Sequence, residues 1–414
     1  MSRPRVTLCM IVKDETHIIE ECLRSMAKYV DRYDITDTGS TDGTQDLIKK
    51  TMDELGVPGT VHQSDWKGFG PSRTEALRNS EKSDAEYAWM IDADDYITGN
   101  FKYPSNMNKD SYSLRLGRPE FMWWRNQIFK LGIGWEYTGV LHEYAHCPAK
   151  PKEQITMDKI HGDYFVVART EGNRNVGITP KEKYTRDAET LYSALNNPED
   201  PHYAPTNERY QFYLAQSYFD SQQWDKSFEA YGKRVDMGGW EEECFYSLFR
   251  RAMIAGMQNK PFGEVCELLR QSYEYRPIRA EPLVELSRLY RMNNRPRTAY
   301  IYARAAAELS IPPHDILFVS EDCYKWRALD ELSATAFFMF KFEEGYAATR
   351  KLLQENFVPA SELPRVKANM VHYEGKMKEI NQQKSEWERN QKQASTVNDS
   401  EIKIKKYKKR KVRS

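Results

Sequence analysis

No stretch of this 414-residue sequence is apolar for more than seven residues; the longest, Val6–Val12, is ended by Lys13, Asp14 and Glu15. That is too short for the core of a signal peptide or for a membrane span. Cysteine is sparse as well. Cys9, Cys22, Cys147, Cys244, Cys266 and Cys323 stand far apart, with neither a Cys-x-x-Cys pair nor a Cys/His zinc spacing, so buried thiols in a reducing compartment are expected. An excess of charge is also missing, because 61 basic residues offset 61 acidic ones. The overall balance therefore directs the chain neither to nucleic acid nor to a membrane surface. These absences predict a soluble, cytoplasmic protein whose length suits two or three domains of about 100–200 residues.

What the N-terminal part does contain is alternation of short β-rich runs with helical stretches, the pattern of a parallel sheet covered by helices. Val6–Val12 reads as a buried strand, and 16–29 as an amphipathic helix with Ile18, Ile19, Cys22, Leu23 and Met26 on one face. A second strand at 33–37 leads into a turn where Thr41 or Asp42 can cap a helix running to about Leu55. A third strand lies near 60–63, Ser72 can cap a helix to Asn79, and 87–91 makes a fourth strand. That strand ends at Asp92, Ala93, Asp94 and Asp95, and strand ends in an open parallel sheet face the ligand crevice. From 111 to 167 aromatic and branched residues predict extended sheet and loops, and after Pro180 the pattern is helical. The run Tyr210–Tyr218 recurs loosely as Leu283–Tyr290, with Tyr218 and Tyr290 72 residues apart, about twice the ~34-residue tetratricopeptide period. Residues 366–393 predict one long charged helix.

Carboxylates spaced like Asp92 and Asp94 at the end of a buried strand would project together into that crevice. Magnesium or manganese suits them, since these hard ions take oxygen ligands and keep positions open for phosphates. An isolated Asp-x-Asp is better explained as a solvated turn. Three runs alter that balance. Cys9-Met10-Ile11-Val12-Lys13-Asp14-Glu15, Asp37-Thr38-Gly39-Ser40-Thr41-Asp42-Gly43-Thr44 and Ile91-Asp92-Ala93-Asp94-Asp95 resemble, in order and spacing, the hallmark segments of family 2 glycosyltransferases. The resemblance covers roughly the first 165 residues. It implies an α/β GT-A (Rossmann-like) domain with a mixed sheet, a nucleoside-diphosphate sugar as donor, UDP first, a Mn2+ or Mg2+ ion, and inversion at the sugar carbon. By this match Asp14, Glu15 and Asp37 line the uracil and ribose pocket, and Asp92 sits beside the ribose. Val12 and Ala93 join the donor-binding set, and Asp94 holds the metal. Asp37 and Asp42 also suit plain turn and cap chemistry.

Arg73 opens a helix where the family commonly has an Arg-Asn pair; here Thr74 replaces the Asn, and Arg73 is expected on the base or the diphosphate. The segment Trp135–Glu143 is similar to the family's Gly-x-x-His-Glu element, which makes His142 a further metal ligand. Glu143 is the nearest general base by motif, with Glu136 and Asp163 behind it; it could equally orient His142. His161, in a run whose order departs from the family's, receives no role. Phe121, Met122, Trp123 and Trp124 could stack on a sugar, although packing in the core is the simpler expectation for both tryptophans.

The helical half resembles the tetratricopeptide region fused to a subgroup of these enzymes, one of which glycosylates a bacteriocin peptide. Stacked helix pairs offer a concave surface for a peptide or for a second copy, in a homodimer. From Lys403 to Arg413 there are eight Lys or Arg and no acid. This tail could grip DNA or an acidic membrane, or simply remain solvated. The expected organisation is a GT-A domain at 1–170, an all-α tetratricopeptide-like repeat domain at 180–395 and a basic disordered tail at 396–414. The acceptor is a peptide, a glycan or a nucleic acid. An inert scaffold and a nucleotidyltransferase are the rival functions.

Overall fold

A computed structural model describes residues 3–118, 121–169, 171–173 and 177–411, with side chains described no further than Gln391 and not at 118, 121 and 122. The chain divides into two compact units, Met1–Ser247 and Leu248–Ser414.

The first unit is built on a mixed sheet. Its parallel half comprises β1 (Val6–Val12), β2 (Arg32–Asp37), β3 (Gly59–Gln63) and β4 (Tyr87–Met90), in the order β3-β2-β1-β4. These strands match the sequence expectation closely. β1 and β4 lie under helices on both faces, which is why they read as continuous apolar runs. α1 (Ile19–Met26) and α2 (Thr44–Glu54) pack Ile19, Cys22, Leu23, Met26, Ile48 and Met52 into the main core with Leu8, Met10 and Trp89. All six cysteines are buried and free.

α3 (Phe69–Ser80) starts earlier than the expected cap at Ser72. Gly68, at φ +93°, turns the chain into the helix, and Pro71 is tolerated in a first turn whose N–H groups need no helical partner. Ser72 instead accepts the Lys67 N–H.

The sheet continues through β7 (Phe121–Lys130), antiparallel to β4, then β6 (Ser111–Arg118), β11 (Tyr164–Val167) and β5 (Tyr96–Gly99), with β10 (Met157–Lys159) beside β6. β8 (Glu136–Thr138) and β9 (Tyr144–His146) form a separate hairpin. Neither tryptophan of β7 joins the core. Trp123 is exposed and Trp124 packs its half-buried ring on His161 and Lys159. The side chains of Phe121 and Met122 lie outside the described residues.

Helices follow from Pro180. α4 (Pro180–Asn196) begins with a complete capping box between Thr179 and Glu182. With α5 (Glu208–Asp220) it buries Ala188, Leu191, Leu195, Tyr210 and Leu214 around Leu141 of the sheet unit. α6 (Trp224–Met237) completes the hairpin and α7 (Glu241–Met257) carries the division between units. The contact division thus falls beyond the β-to-α change at 170–180.

The second unit stacks α8 (Phe262–Tyr275), α9 (Glu281–Met292), α10 (Pro296–Ala307), α11 (Ala328–Ala336) and α12 (Phe342–Glu355) as sequential hairpins closed by α13 (Leu363–Lys411). Tyr300, Ala303, Leu332, Ala336 and Ala348 form one core cluster there, and Leu352, Val358 and Val366 another. The backbone of the expected disordered tail is helical as far as Lys411. No Gly or Pro follows Gly375, the run is rich in Lys, Glu and Gln, and lysines suit the negative end of a helix. Among the described residues no helix is long and apolar enough to cross a membrane.

Candidate functional site

The C-terminal ends of β1, β2 and β4 deliver their carboxylates to one edge of the sheet. Just past β1, Asp14 adopts φ +56°, donates its N–H to Ser40 Oγ and accepts the Thr41 N–H at 2.7 Å. The Val12 carbonyl accepts both the N–H and the hydroxyl of Thr38. The first and second hallmark runs are thereby tied into one turn. Asp37, at the end of β2, is buried. Its Oδ1 accepts from Gly39 N, Ser40 N and Gln45 Nε2, while Oδ2 is buried with no partner. Asp42 has the turn role: Oδ1 accepts the Thr44 N–H and hydroxyl, Oδ2 those of Thr16. Burial acts to raise its pKa, but these bonds prevail and hold it down at about 2.

Past β4 the three aspartates have separate environments. Ala93 is packed in the main core and turns its neighbours outward. Asp92 lies between two guanidiniums, accepting Arg73 Nη2 at 2.5 Å on Oδ1 and Arg125 Nη1 at 3.4 Å on Oδ2. Burial opposes its ionisation, and the two arginines overcome that and bring its pKa to about 2. Asp94 Oδ2 accepts the backbone N–H groups of Glu171 and Gly172, each at 3.0 Å. Its pKa is raised by burial, with the charge of Asp92 adding to the effect. Asp95 is pushed up to about 8 by burial and then by Asp92 and Asp94, while its Oδ1 accepts the Arg169 N–H. Glu15 rises to about 7 through burial and the nearby Asp94, and its carboxylate accepts the Asn173 N–H.

Arg73 joins this edge to the turn after β8. Its Nε donates to Glu143 Oε1 at 2.7 Å, giving a chain Glu143, Arg73, Asp92, Arg125. Two glycines permit the approach. A Cβ on Gly70 would meet the carbonyls of Tyr137 and Gly139 at 3.0 and 3.2 Å, and Gly139, at φ +119°, lies with its Cβ position 3.1 Å from Glu143 Cα. Thr74, in the place of the family's Asn, accepts the Tyr137 N–H and locks α3 to β8. His142 sits at φ +52°, an uncommon conformation for a side-chain-bearing residue. Its ring stacks on Tyr213 of α5 at 3.8 Å and 7°, its carbonyl accepts two bonds from Arg209, and the Val140 N–H donates to Tyr210 Oη.

The structure therefore brings together Val12, Asp14, Glu15, Asp37, Arg73, Asp92, Ala93, Asp94 and Glu143. His142 is tied into the same turn as Glu143. Among the described residues no three of His, Cys, Asp and Glu are grouped to hold a metal ion, so His142 and Asp94 do not belong to such a group. Glu136 is exposed on β8 with Arg78 near it, and Asp163 is exposed just before β11. Sequence reading missed Arg125, Arg169, Arg209 and Tyr213. Each is distant in the chain from the carboxylate or turn it contacts, and no local pattern marks it.

With this geometry in hand, residues 7–105 match the family described as glycosyl transferase family 2. A TPR repeat-containing protein of Synechococcus elongatus is 32% identical over 94 residues, covering 22% of this chain and 21% of that protein. The chain thus spans about a fifth of the length of this relative. Among solved structures, S. aureus TarS 1–349 in complex with UDP-GlcNAc is similar at 15% identity and a TM-score of 0.29, over 58% of this chain and 82% of that one. MamA is similar at 13% identity and a TM-score of 0.32, over 45% and 95% respectively. The first unit is an α/β domain with acidic strand ends, backed by antiparallel helical hairpins. More particularly, residues 7–105 of that domain are the segment similar to glycosyl transferase family 2, and antiparallel helices follow it in the chain.

Proposed function

We propose that the protein is a metal-dependent, inverting glycosyltransferase that moves a hexose-like sugar from a nucleoside-diphosphate donor, UDP first, to a peptide, glycan or nucleic-acid acceptor. The observation that carries this is the convergence of Asp37, Asp92, Asp94 and Arg73 at one sheet edge inside the family-matched segment. Asp37 Oδ2, buried and unmet, is an acceptor waiting for a donor such as a base N–H. Asp14 and Glu15 shape the same wall.

The residues present fit a hard divalent cation. Asp94 and Glu15 offer oxygen ligands whose mutual repulsion a cation would relieve. Asp94 would hold the ion, and His142, whose ring lies on Tyr213, would be the further ligand that the family resemblance implies. When bound, Mn2+ or Mg2+ supplies Lewis-acid stabilisation of charge on the departing diphosphate. Arg73 orients Asp92 toward the donor and fixes Glu143 by a single oxygen. Glu143 then acts as the general base toward the acceptor, a role for which its 9% exposed side chain is held in one position.

Thermal unfolding with a panel of nucleotide sugars and Mn2+ tests the reading. A rise in midpoint with at least one donor, dependent on the metal, is expected. No rise with any donor would contradict it. A nucleotidyltransferase would instead release pyrophosphate from a nucleoside triphosphate.

A further inference from the structure

Arg125 is the member of the charged chain that the reading above leaves without a task. It stands on β7 opposite Leu114 of β6 and faces Asp92 from the side away from Arg73. The two guanidiniums hold one carboxylate by its two oxygens, but on unequal terms. Arg73 is captive: its side chain is 6% exposed and bonded to both Asp92 and Glu143. Arg125 is 36% exposed and makes one long contact, 3.4 Å, to Asp92. Arg125 is therefore the looser and the more exposed of the two.

A second observation points to the same place. Arg73 Nη1 is buried and has no hydrogen-bond partner. Buried guanidinium donors are rarely left unmet, so this N–H is a donor that suits a ligand's acceptor oxygen. The chain of Glu143, Arg73, Asp92 and Arg125 is neutral as a whole, so the carboxylates already consume one charge from each arginine's surroundings. Beyond it lies the acidic side, Asp94 and Glu15. The site is thus bipolar, with cation-seeking oxygens on one side and anion-seeking N–H groups on the other.

We infer that Arg125, with the buried Nη1 of Arg73, receives the diphosphate of the bound nucleotide, and that Asp92 holds Arg125 in readiness until a phosphate replaces the long contact. The inference rests on the proposed nucleotide-sugar reading and names the residue that recognises its anionic part. A planar guanidinium fork matches phosphate oxygens better than an ammonium does.

Equilibrium binding to the full chain with Mn2+ tests it, using UDP, GDP and dTDP and the corresponding nucleosides as probes. Wild-type protein binds at least one diphosphate. Arg125→Gln weakens that diphosphate about tenfold or more, as loss of a charge-assisted hydrogen bond requires, and leaves the nucleoside unchanged. Arg125→Lys, which keeps the charge but not the fork, falls between. Diphosphate affinity unchanged in Arg125→Gln, or equal losses for nucleoside and diphosphate, overturns this inference while the parent reading stands. Absence of binding by wild-type protein to every probe overturns the parent reading and this inference with it. Should Arg125→Gln fail to fold, Arg125→Lys carries the same comparison, and an unchanged ratio of diphosphate to nucleoside affinity overturns the inference.

Discussion

His142 lies flat on Tyr213, with ring centroids 3.8 Å apart and planes 7° from parallel. Tyr213 belongs to α5, so the first helical hairpin holds the turn that carries Glu143. Tyr213→Ala is expected to cost about 2 kcal/mol of stability, since a half-buried aromatic and its stacking partner are both lost. Donor turnover should fall about tenfold through misplacement of that turn. Tyr213→Phe keeps the stack and should retain both. Thermal unfolding alongside nucleotide release distinguishes the variants; equal behaviour of Ala and Phe would remove the stack from the account.

Arg73 is flanked by Asp92 and Glu143, and its removal strands two carboxylates. Arg73→Ala should cost about 3 kcal/mol or more, as when one partner of a buried pair is deleted. The lower end of that range is expected because the Asp92 side chain is 29% exposed. Chemical denaturation measures it. Arg73→Lys restores one charge without the fork and should recover only part.

The raised groups fix a pH dependence. Glu15 titrates at about 7 and Asp95 at about 8, whereas unfolded carboxyls titrate near about 4. Between these values the folded protein binds protons that the unfolded chain has released. Their contribution to stability is complete below about pH 4 and is lost as pH rises through the folded values. With divalent ions chelated, the unfolding midpoint should therefore fall from pH 5 to pH 8, and Asp95→Asn should flatten the slope. An identical slope in the variant would exclude Asp95 as its source.

Gly139 is needed for its backbone. At φ +119°, with Glu143 Cα 3.1 Å from the position of an added Cβ, Gly139→Ala should cost about 1–3 kcal/mol and reduce turnover. Gly132, also at positive φ but with nothing within 4 Å of its Cβ position, serves as the control, because Gly132→Ala adds conformational strain without displacing Glu143.

β1 and β4 were legible because strands buried on both faces leave continuous apolar runs, and because Asp14 and Asp92 fall just past where those runs stop. Strand β1 was read to the residue. The pairing of Arg73 with Glu143 was not legible: 70 residues separate them, and only the close approach at Gly70 and Gly139 brings them together. Arg125 carried no local signal, as an arginine on a strand reads as surface. Tyr213 was noticed as part of a repeat, and helical periodicity says which face is apolar without saying that one ring will stack on a turn of another fold layer. The start of α3 was misplaced because Ser72 looked like a cap while Gly68 and Pro71 set the actual entry.

The central claim, that Asp94 anchors a metal-dependent sugar-nucleotide reaction, is tested most directly by measuring nucleoside diphosphate released from nucleotide sugars with and without Mn2+, by wild-type protein and by Asp94→Ala. The account predicts metal-dependent release by the wild type and its loss in the variant. Release that is absent from the wild type, or that persists unchanged in Asp94→Ala, would contradict it.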